Sequence, residues 1–251
     1  MLRLVDTHCH IHEANYSLPA DDVLARAKHA GVDRVICVGT DPQSSIDAVQ
    51  FAKQHENVWA IVGVHPHEVK HGLGAIAQLL PDTKVVGIGE IGLDYFYDHS
   101  PRDVQIDILN RQIELAIKHD LPISFHVREA FDDFWSIFNN FSNISGVLHS
   151  YTDTISNMET ALSQGLFIGI NGIATFNKDA VQREMYRSVP LESTLLETDA
   201  PFLTPVPMRG TVNEPAFVVN VAKYLSDLHN RPIEQIAEIT TNNAQKLFSL
   251  K

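Results

Sequence analysis

Two rhythms alternate along this chain. Short, nearly continuous apolar runs, of the kind a strand covered on both faces requires, are followed by longer stretches whose apolar residues recur three and four positions apart. The runs predict strands at residues 2–5, 34–39, 58–64, 85–89, 123–127, 146–148, 166–170 and 193–196. The longer stretches predict helices at residues 19–30, 42–55, 73–80, 101–118, 154–163 and 179–187, with two more at 216–228 and 232–250 closing the chain. A further helix carries Phe131, Phe134, Trp135 and Phe138 as one aromatic stripe, the signature of core packing. Gly31 supplies a helix stop, and Asp41-Pro42 opens a helix with a cap and a proline at its first turn. Strict strand–helix alternation demands a parallel sheet, and eight units in 251 residues favour closure over an open doubly wound sheet. The fold class expected is α/β, a single (β/α)8 TIM barrel forming one domain over residues 1–251.

The polar residues that punctuate this pattern fall at the strand ends. The first strand runs into Asp6-Thr7-His8-Cys9-His10-Ile11-His12, and period-two alternation puts Asp6, His8, His10 and His12 on one face, Thr7, Cys9 and Ile11 on the other. Strand three delivers His65-Pro66-His67, strand four Glu90, strand five His126, strand six His149 and strand eight Glu197-Thr198-Asp199. In a barrel the carboxyl ends converge on one face, where such residues read as a functional set. By contrast His29, His55, His71, His99, His119 and His229 fall on helices or loops without a partner pattern and receive no role. Gly87, Gly89 and Gly92 match the spacing of a dinucleotide fingerprint, but no helix can open directly after them, so they are read as allowing close backbone approach beside Glu90.

Composition narrows the chemistry. Hydrophobic residues make up 44% of the chain and charged residues 20%, with no low-complexity tract, so a packed globular protein is expected. A net charge of -12 argues against a broadly basic surface coating nucleic acid and leaves a polyanion to be held at a local site. Cys9 and Cys37 are the only cysteines, read as free thiols in a reducing compartment. No apolar run approaches a membrane span and no signal segment opens the chain, so the protein is expected to be cytoplasmic.

These strand-end imidazoles, with the carboxylates Glu90 and Asp199, are too many for one tetrahedral site and suit two divalent ions, with Glu90 able to bridge through its two oxygens. Nitrogen and oxygen donors without thiolates fit zinc, manganese or magnesium. Two such ions activate a water and neutralise charge on a phosphoryl group, so metal-assisted hydrolysis is the reaction class. Asp199 at its strand end is placed to touch an ion with one oxygen and take a proton with the other, as ligand and general base.

Asp6-Thr7-His8-Cys9-His10, Gly63-Val64-His65-Pro66-His67, Gly89-Glu90-Ile91-Gly92-Leu93-Asp94-Tyr95, His126-Val127-Arg128-Glu129-Ala130 and Glu197-Thr198-Asp199-Ala200-Pro201 together resemble the TatD family of metal-dependent deoxyribonucleases, a branch of the amidohydrolase superfamily. The likeness implies a binuclear metal centre and 3'-to-5' exonuclease activity on DNA, and DNA (or RNA) ends are the expected substrate. By position it implies that His8, His10, Glu90 and Asp199 hold one ion, that Glu90, His126 and His149 hold the other, and that His65, Arg128 and Arg209 face the substrate phosphate. The chain departs from the family pattern at Thr211-Val212, where basic residues are common, and at Asp153, where glycine is common. Both departures lower positive charge near the mouth.

The rival reading on the same ions is a carboxylic ester or amide hydrolase, such as a deacylase of mischarged D-aminoacyl-tRNA. A paired guanidinium set, Arg128 and Arg209, favours phosphate. A monomer without an obligate protein partner or membrane association is expected.

Overall fold

The first strand extends further than its apolar run, because the polar residues that follow Val5 are also enclosed. In the computed structural model, which describes residues 2–97 and 99–250, β1 spans Leu4–Cys9 and every residue in it is buried. The elements then follow as α1 (Ala20–His29), β2 (Val32–Val38), α2 (Pro42–Gln54), β3 (Val58–Val62), α3 (Ile76–Leu79), β4 (Val85–Asp94), α4 (Arg102–His119), β5 (Ile123–Arg128) and α5 (Phe131–Phe138). The remainder is β6 (Gly146–Leu148), α6 (Ile155–Ser163), β7 (Phe167–Ile170), α7 (Ile173–Phe176), α8 (Ala180–Ser188), β8 (Thr194–Leu196), α9 (Val218–His229) and α10 (Ile233–Phe248). The eight strands lie in one sheet in the order β1 to β8, and every pairing described below is parallel. This is the (β/α)8 barrel expected from the alternation.

The chain divides into two compact units, residues up to Cys37 with those from Ser150 onward, and Val38–His149. In the second, β3 pairs with β4, β4 with β5 and β5 with β6. Its core is Ile61, Ile88, Phe125 and the predicted aromatic stripe: Phe134 lies 5.1 Å from Phe125, ring centre to ring centre, and Phe131, Phe134 and Phe138 are all buried. Truncating a fully enclosed ring such as Phe134 to alanine would cost about 3–5 kcal/mol. Asp41 caps α2 by accepting from the N–H groups of Gln43 and Ser44 at 2.7 and 2.9 Å, ahead of Pro42 at the first helical position.

In the other unit β1 pairs with β2 and β7 with β8, and Cys9 bridges Ala200, just past β8. Cys9 and Cys37, directly opposed in register, are both free and buried. The last helix is fastened to strand ends by polar groups on its buried face: Asn243 Nδ2 donates to the carbonyls of Leu191 and Thr194, and Thr241 Oγ1 to that of Arg3, each at 2.8 Å. Thr154 and Asp179 cap α6 and α8.

Three local expectations differ. The helix expected at 73–80 shortens to α3, because Gly74 adopts a positive φ (48°) that a helix cannot contain, and a separate 3-10 turn precedes it at Val69–His71. The strand expected to stop at Gly89 continues to Asp94, with every residue buried. The short helix α7 follows Asn171-Gly172, where only strand-to-loop chain was expected.

Candidate metal centre

Each unit gathers its own set of donors at strand ends. In Val38–His149, β4 supplies two carboxylates on one face, Glu90 and Asp94, four residues apart and hence with the same strand parity. Gly92 lies between them with φ 152°, and a Cβ there would sit 1.8 Å from the carbonyl oxygen of His126, so only glycine lets β4 approach β5 this closely. That approach sets the pairs Gly92–His126 and Asp94–Arg128 side by side.

His126 is consequently clamped. Its Nδ1 lies 2.8 Å from Glu90 Oε1 and its Nε2 3.0 Å from Asp94 Oδ2, both acceptors, so the ring holds two protons. Burial opposes that charge, but the hydrogen bonds to Asp94 and Glu90 outweigh it and raise the imidazole to about 9. Burial likewise opposes ionisation of Asp94, yet His126, the Tyr97 N–H and His67 hold it well below the usual carboxylate range. His67 donates to the same Asp94 oxygen at 2.9 Å. Asp94 itself is fixed by Gln105, whose side-chain amide accepts from the Asp94 N–H and donates to its carbonyl.

His65 lies just past β3, held by its N–H to the Thr40 carbonyl at 2.8 Å, while Gln112 pairs with both backbone groups of Val64 before it. Its Nε2 is 3.7 Å from Glu90 Oε1, and its Nδ1 accepts from the His67 N–H at 3.2 Å. Burial, then the charge on His126, keeps this ring neutral, well below the ordinary histidine value. His149 Nε2 is 3.9 Å from Glu90 Oε1.

In the other unit, β1 and the end of β8 bring His8, His10 and Asp199 together. Asp199 Oδ1 is 3.8 Å from His8 Nε2 and 3.4 Å from His10 Nε2. Backbone bonds lock this geometry: the Asp199 N–H donates to the His8 carbonyl at 2.9 Å and the His10 N–H to that of Ala200 at 2.7 Å. Asp199 takes φ 59°, a left-handed conformation that aspartate tolerates better than most residues and that aims its side chain out of the strand's alternation. The neighbours turn elsewhere. Thr198 is bonded through Oγ1 to Asp6 Oδ2 at 2.6 Å, and Glu197 Oε2 accepts from the Ser150 N–H at 3.0 Å. Asp6, wholly buried, is pushed up to about 8 by that burial.

These are fitting metal donors. Ligand atoms of His8, His10 and Asp199, and of His65, Glu90 and His126, lie within 4.8 Å of one another in each trio. All are imidazole nitrogens or carboxylate oxygens, the chemistry of a hard to borderline divalent ion. The donor set of the second unit also has its outer support: Asp94 bonds the ring nitrogen of His126 remote from Glu90, the carboxylate–histidine arrangement that orients a metal-binding imidazole.

The two arginines expected to face the phosphate each lie over aromatic rings. Arg128 closes β5, two residues beyond His126, with its guanidinium over the Phe96 and Tyr97 rings at 4.0 and 4.8 Å. Arg209 lies over Phe176 at 4.0 Å and donates to the Thr204 carbonyl at 2.8 Å. Asp94 and His67 were not foreseen as members of the site. A signal for both existed, since Asp94 continues the parity of Glu90 and His67 that of His65.

Barrel and donor sets together define a metal-dependent hydrolase. The family model described as TatD related DNase matches residues 5–249, so the chain belongs to the TatD family. It is 34% identical over 253 residues to an uncharacterized metal-dependent hydrolase, YabD, of Bacillus subtilis, covering 98% of this chain and 99% of that protein. It is also 34% identical over 259 residues to the 3'-5' ssDNA/RNA exonuclease TatD of Erwinia tasmaniensis, covering 98% and 100%. Among solved structures, YjjV, a TatD homolog from Escherichia coli K12, superposes with a TM-score of 0.91 at 29% identity over 100% of this chain and 99% of that one. Among the described residues no helix is long and apolar enough to cross a membrane.

Proposed function

We propose that this hydrolase removes nucleotides from the 3' end of single-stranded nucleic acid at a two-ion centre. In this reading His8, His10, Glu90 and Asp199 hold one ion and Glu90, His126 and His149 the other. Bound divalent ions supply Lewis acidity toward a phosphoryl oxygen and lower the pKa of a water nucleophile. The remaining work falls to the protein. Asp199 takes the proton of the attacking water on a carboxylate oxygen, a role that its fixed backbone favours. Asp94 holds His126 in orientation.

The observation that carries the phosphodiester reading is the state of His65. With its ring neutral and Nδ1 accepting from the His67 N–H, Nε2 carries the proton. In this state His65 offers a donor to an anionic oxygen, which supports its assignment to the substrate phosphate. Arg128 and Arg209 are assigned there with it, since guanidinium groups match phosphate geometry. The full-length likeness to a relative named as a 3'-5' ssDNA/RNA exonuclease supports the polarity.

The test is digestion of oligonucleotides labelled at either end by metal-loaded protein, beside a D-aminoacyl-tRNA. Loss of mononucleotides from the 3' end, slowed far more by a 3' blocking group than by a 5' one, is the expected result. Equal sensitivity at both ends, or deacylation outpacing nucleotide release, would overturn it.

A further inference from the structure

Beside the donors of the second unit lies an aromatic surface that hydrolysis itself does not use. Phe96 and Tyr97 are 50% and 51% exposed, in a chain that otherwise encloses most of its large apolar side chains. They meet edge to face at 4.8 Å with an interplanar angle of 89°, and the Arg128 guanidinium lies over both rings. Tyr97 stacks on His99 at 17° and 5.8 Å.

This surface is wired to the donors rather than hung on a loose loop. Asp94 Oδ1 accepts from the N–H groups of both Phe96 and Tyr97 at 3.0 Å, while Asp94 Oδ2 accepts from His67 and His126. One carboxylate thus holds the aromatics and a donor imidazole at once. Ring contacts run inward along the same path, from Tyr97 to His67 at 5.5 Å and from His67 to His65 at 4.3 Å.

We infer that Phe96 and Tyr97, backed by Arg128, form a stacking platform for a nucleobase of the substrate within a few nucleotides of the scissile phosphate. The inference rests on the nuclease reading and deepens it. Half-exposed aromatic rings stacked with a guanidinium are the chemistry that grips unpaired bases, and they do so without regard to sequence. A paired duplex buries its base faces and offers nothing to such a surface, so the platform selects single strands. The overall charge of -12 makes this contact the more useful, because long-range attraction of a polyanion is absent and affinity must come from local contacts.

The test places an abasic nucleotide at each of the last three 3' positions of an oligonucleotide in turn, and compares KM and kcat for wild-type protein, Phe96→Ala/Tyr97→Ala and Phe96→Trp. In the wild type, one abasic position is expected to raise KM by about 5- to 100-fold, with kcat changing much less. The double alanine variant should show the raised KM on the intact strand and lose the penalty for the abasic one, while Phe96→Trp keeps the discrimination. Quenching of 2-aminopurine at the sensitive position, measured in chelator, gives a readout independent of turnover. Wild-type cleavage with no KM penalty at any position, or an unchanged penalty in the double alanine variant, overturns the platform while leaving the nuclease reading standing. Quenching that depends on Phe96 and Tyr97 without any cleavage supports the platform and overturns the nuclease reading. A wild type that neither cleaves nor quenches overturns both.

Discussion

The two donor sets are held in opposite ways. His126 is bonded on both ring nitrogens to carboxylates and carries a proton that an ion binding there would have to displace. His8, His10 and Asp199 are positioned by backbone bonds between β1 and the end of β8, with side-chain donors 3.4 to 3.8 Å apart. In one unit side chains hold side chains, with the site's charges already paired. In the other, backbone bonds set the strand ends, and His10 Nδ1 also faces Glu13 Oε1 at 4.0 Å. Metal loss and proton gain are therefore expected to weigh unequally on the two.

The largest effect expected is from chelation. It should abolish turnover while circular dichroism changes little, because the donors sit at strand ends and the cores of both units are apolar without them. Full activity in excess chelator, with no metal detected by elemental analysis, would remove the metal from the reaction altogether.

Next come two carboxylate changes that separate catalysis from binding. Asp199→Asn keeps His8, His10 and the backbone bonds, so it is expected to retain much of the metal yet lose roughly 10²- to 10⁴-fold in single-turnover rate. Glu90→Gln removes the charge nearest His65, His126 and His149 and should lose metal first. Measuring metal content and rate on both variants decides the matter: a near-normal rate in Asp199→Asn would reduce that residue to a cap on the Ala200-Pro201 turn.

Asp94→Asn probes the side-chain clamp itself. The variant cannot accept charge-assisted bonds from His67 and His126 as the carboxylate does, so metal affinity is expected to fall by about 10- to 100-fold in titration calorimetry. A matching loss in Thr198→Ala, whose hydroxyl donates to Asp6 and accepts from the Ala200 N–H beside the other set, would show that the clamp has no special place.

Smallest per unit step is a pH dependence with a defined sign. Metal-free His126 is raised from 6.5 to about 9, so its ion pairing stabilises the metal-free fold fully below its unfolded value and that contribution is lost as pH rises through about 9. An ion needs the deprotonated ring. Metal affinity should therefore climb with pH, by up to about tenfold per unit for one displaced proton, and level off above about pH 9. Affinity that is flat between pH 6.5 and 9 would mean that the ion does not displace this proton.

Much of this protein was legible as pattern. The strand at Gly146–Leu148, the capped helix after Asp41 and the buried aromatic stripe of α5 follow from local rules: apolar runs, capping residues and helical spacing act within a few positions. The rejected dinucleotide fingerprint is a case in kind, since α4 begins only at Arg102. The candidate donors His8, His10, His65, Glu90, His126, His149 and Asp199 were visible because each interrupts or ends an apolar run.

What pattern missed was set by partners distant in the chain. Asp94 was passed over because its importance lies in His67 and His126, residues 27 and 32 positions away, which meet it only after β4 continues beyond the glycines. The Phe96–Tyr97 surface, and His99 beside it, gain meaning only from Arg128 and from the Asp94 carboxylate that ties them down. The sequence by itself determined where strands and helices lie and which polar residues stand at their ends, since those depend on short-range sterics and burial. Only the tertiary structure decided the protonation of His65 and His126 and which groups pair with them, because both depend on distances of about 3 Å set by folding and not by the sequence pattern.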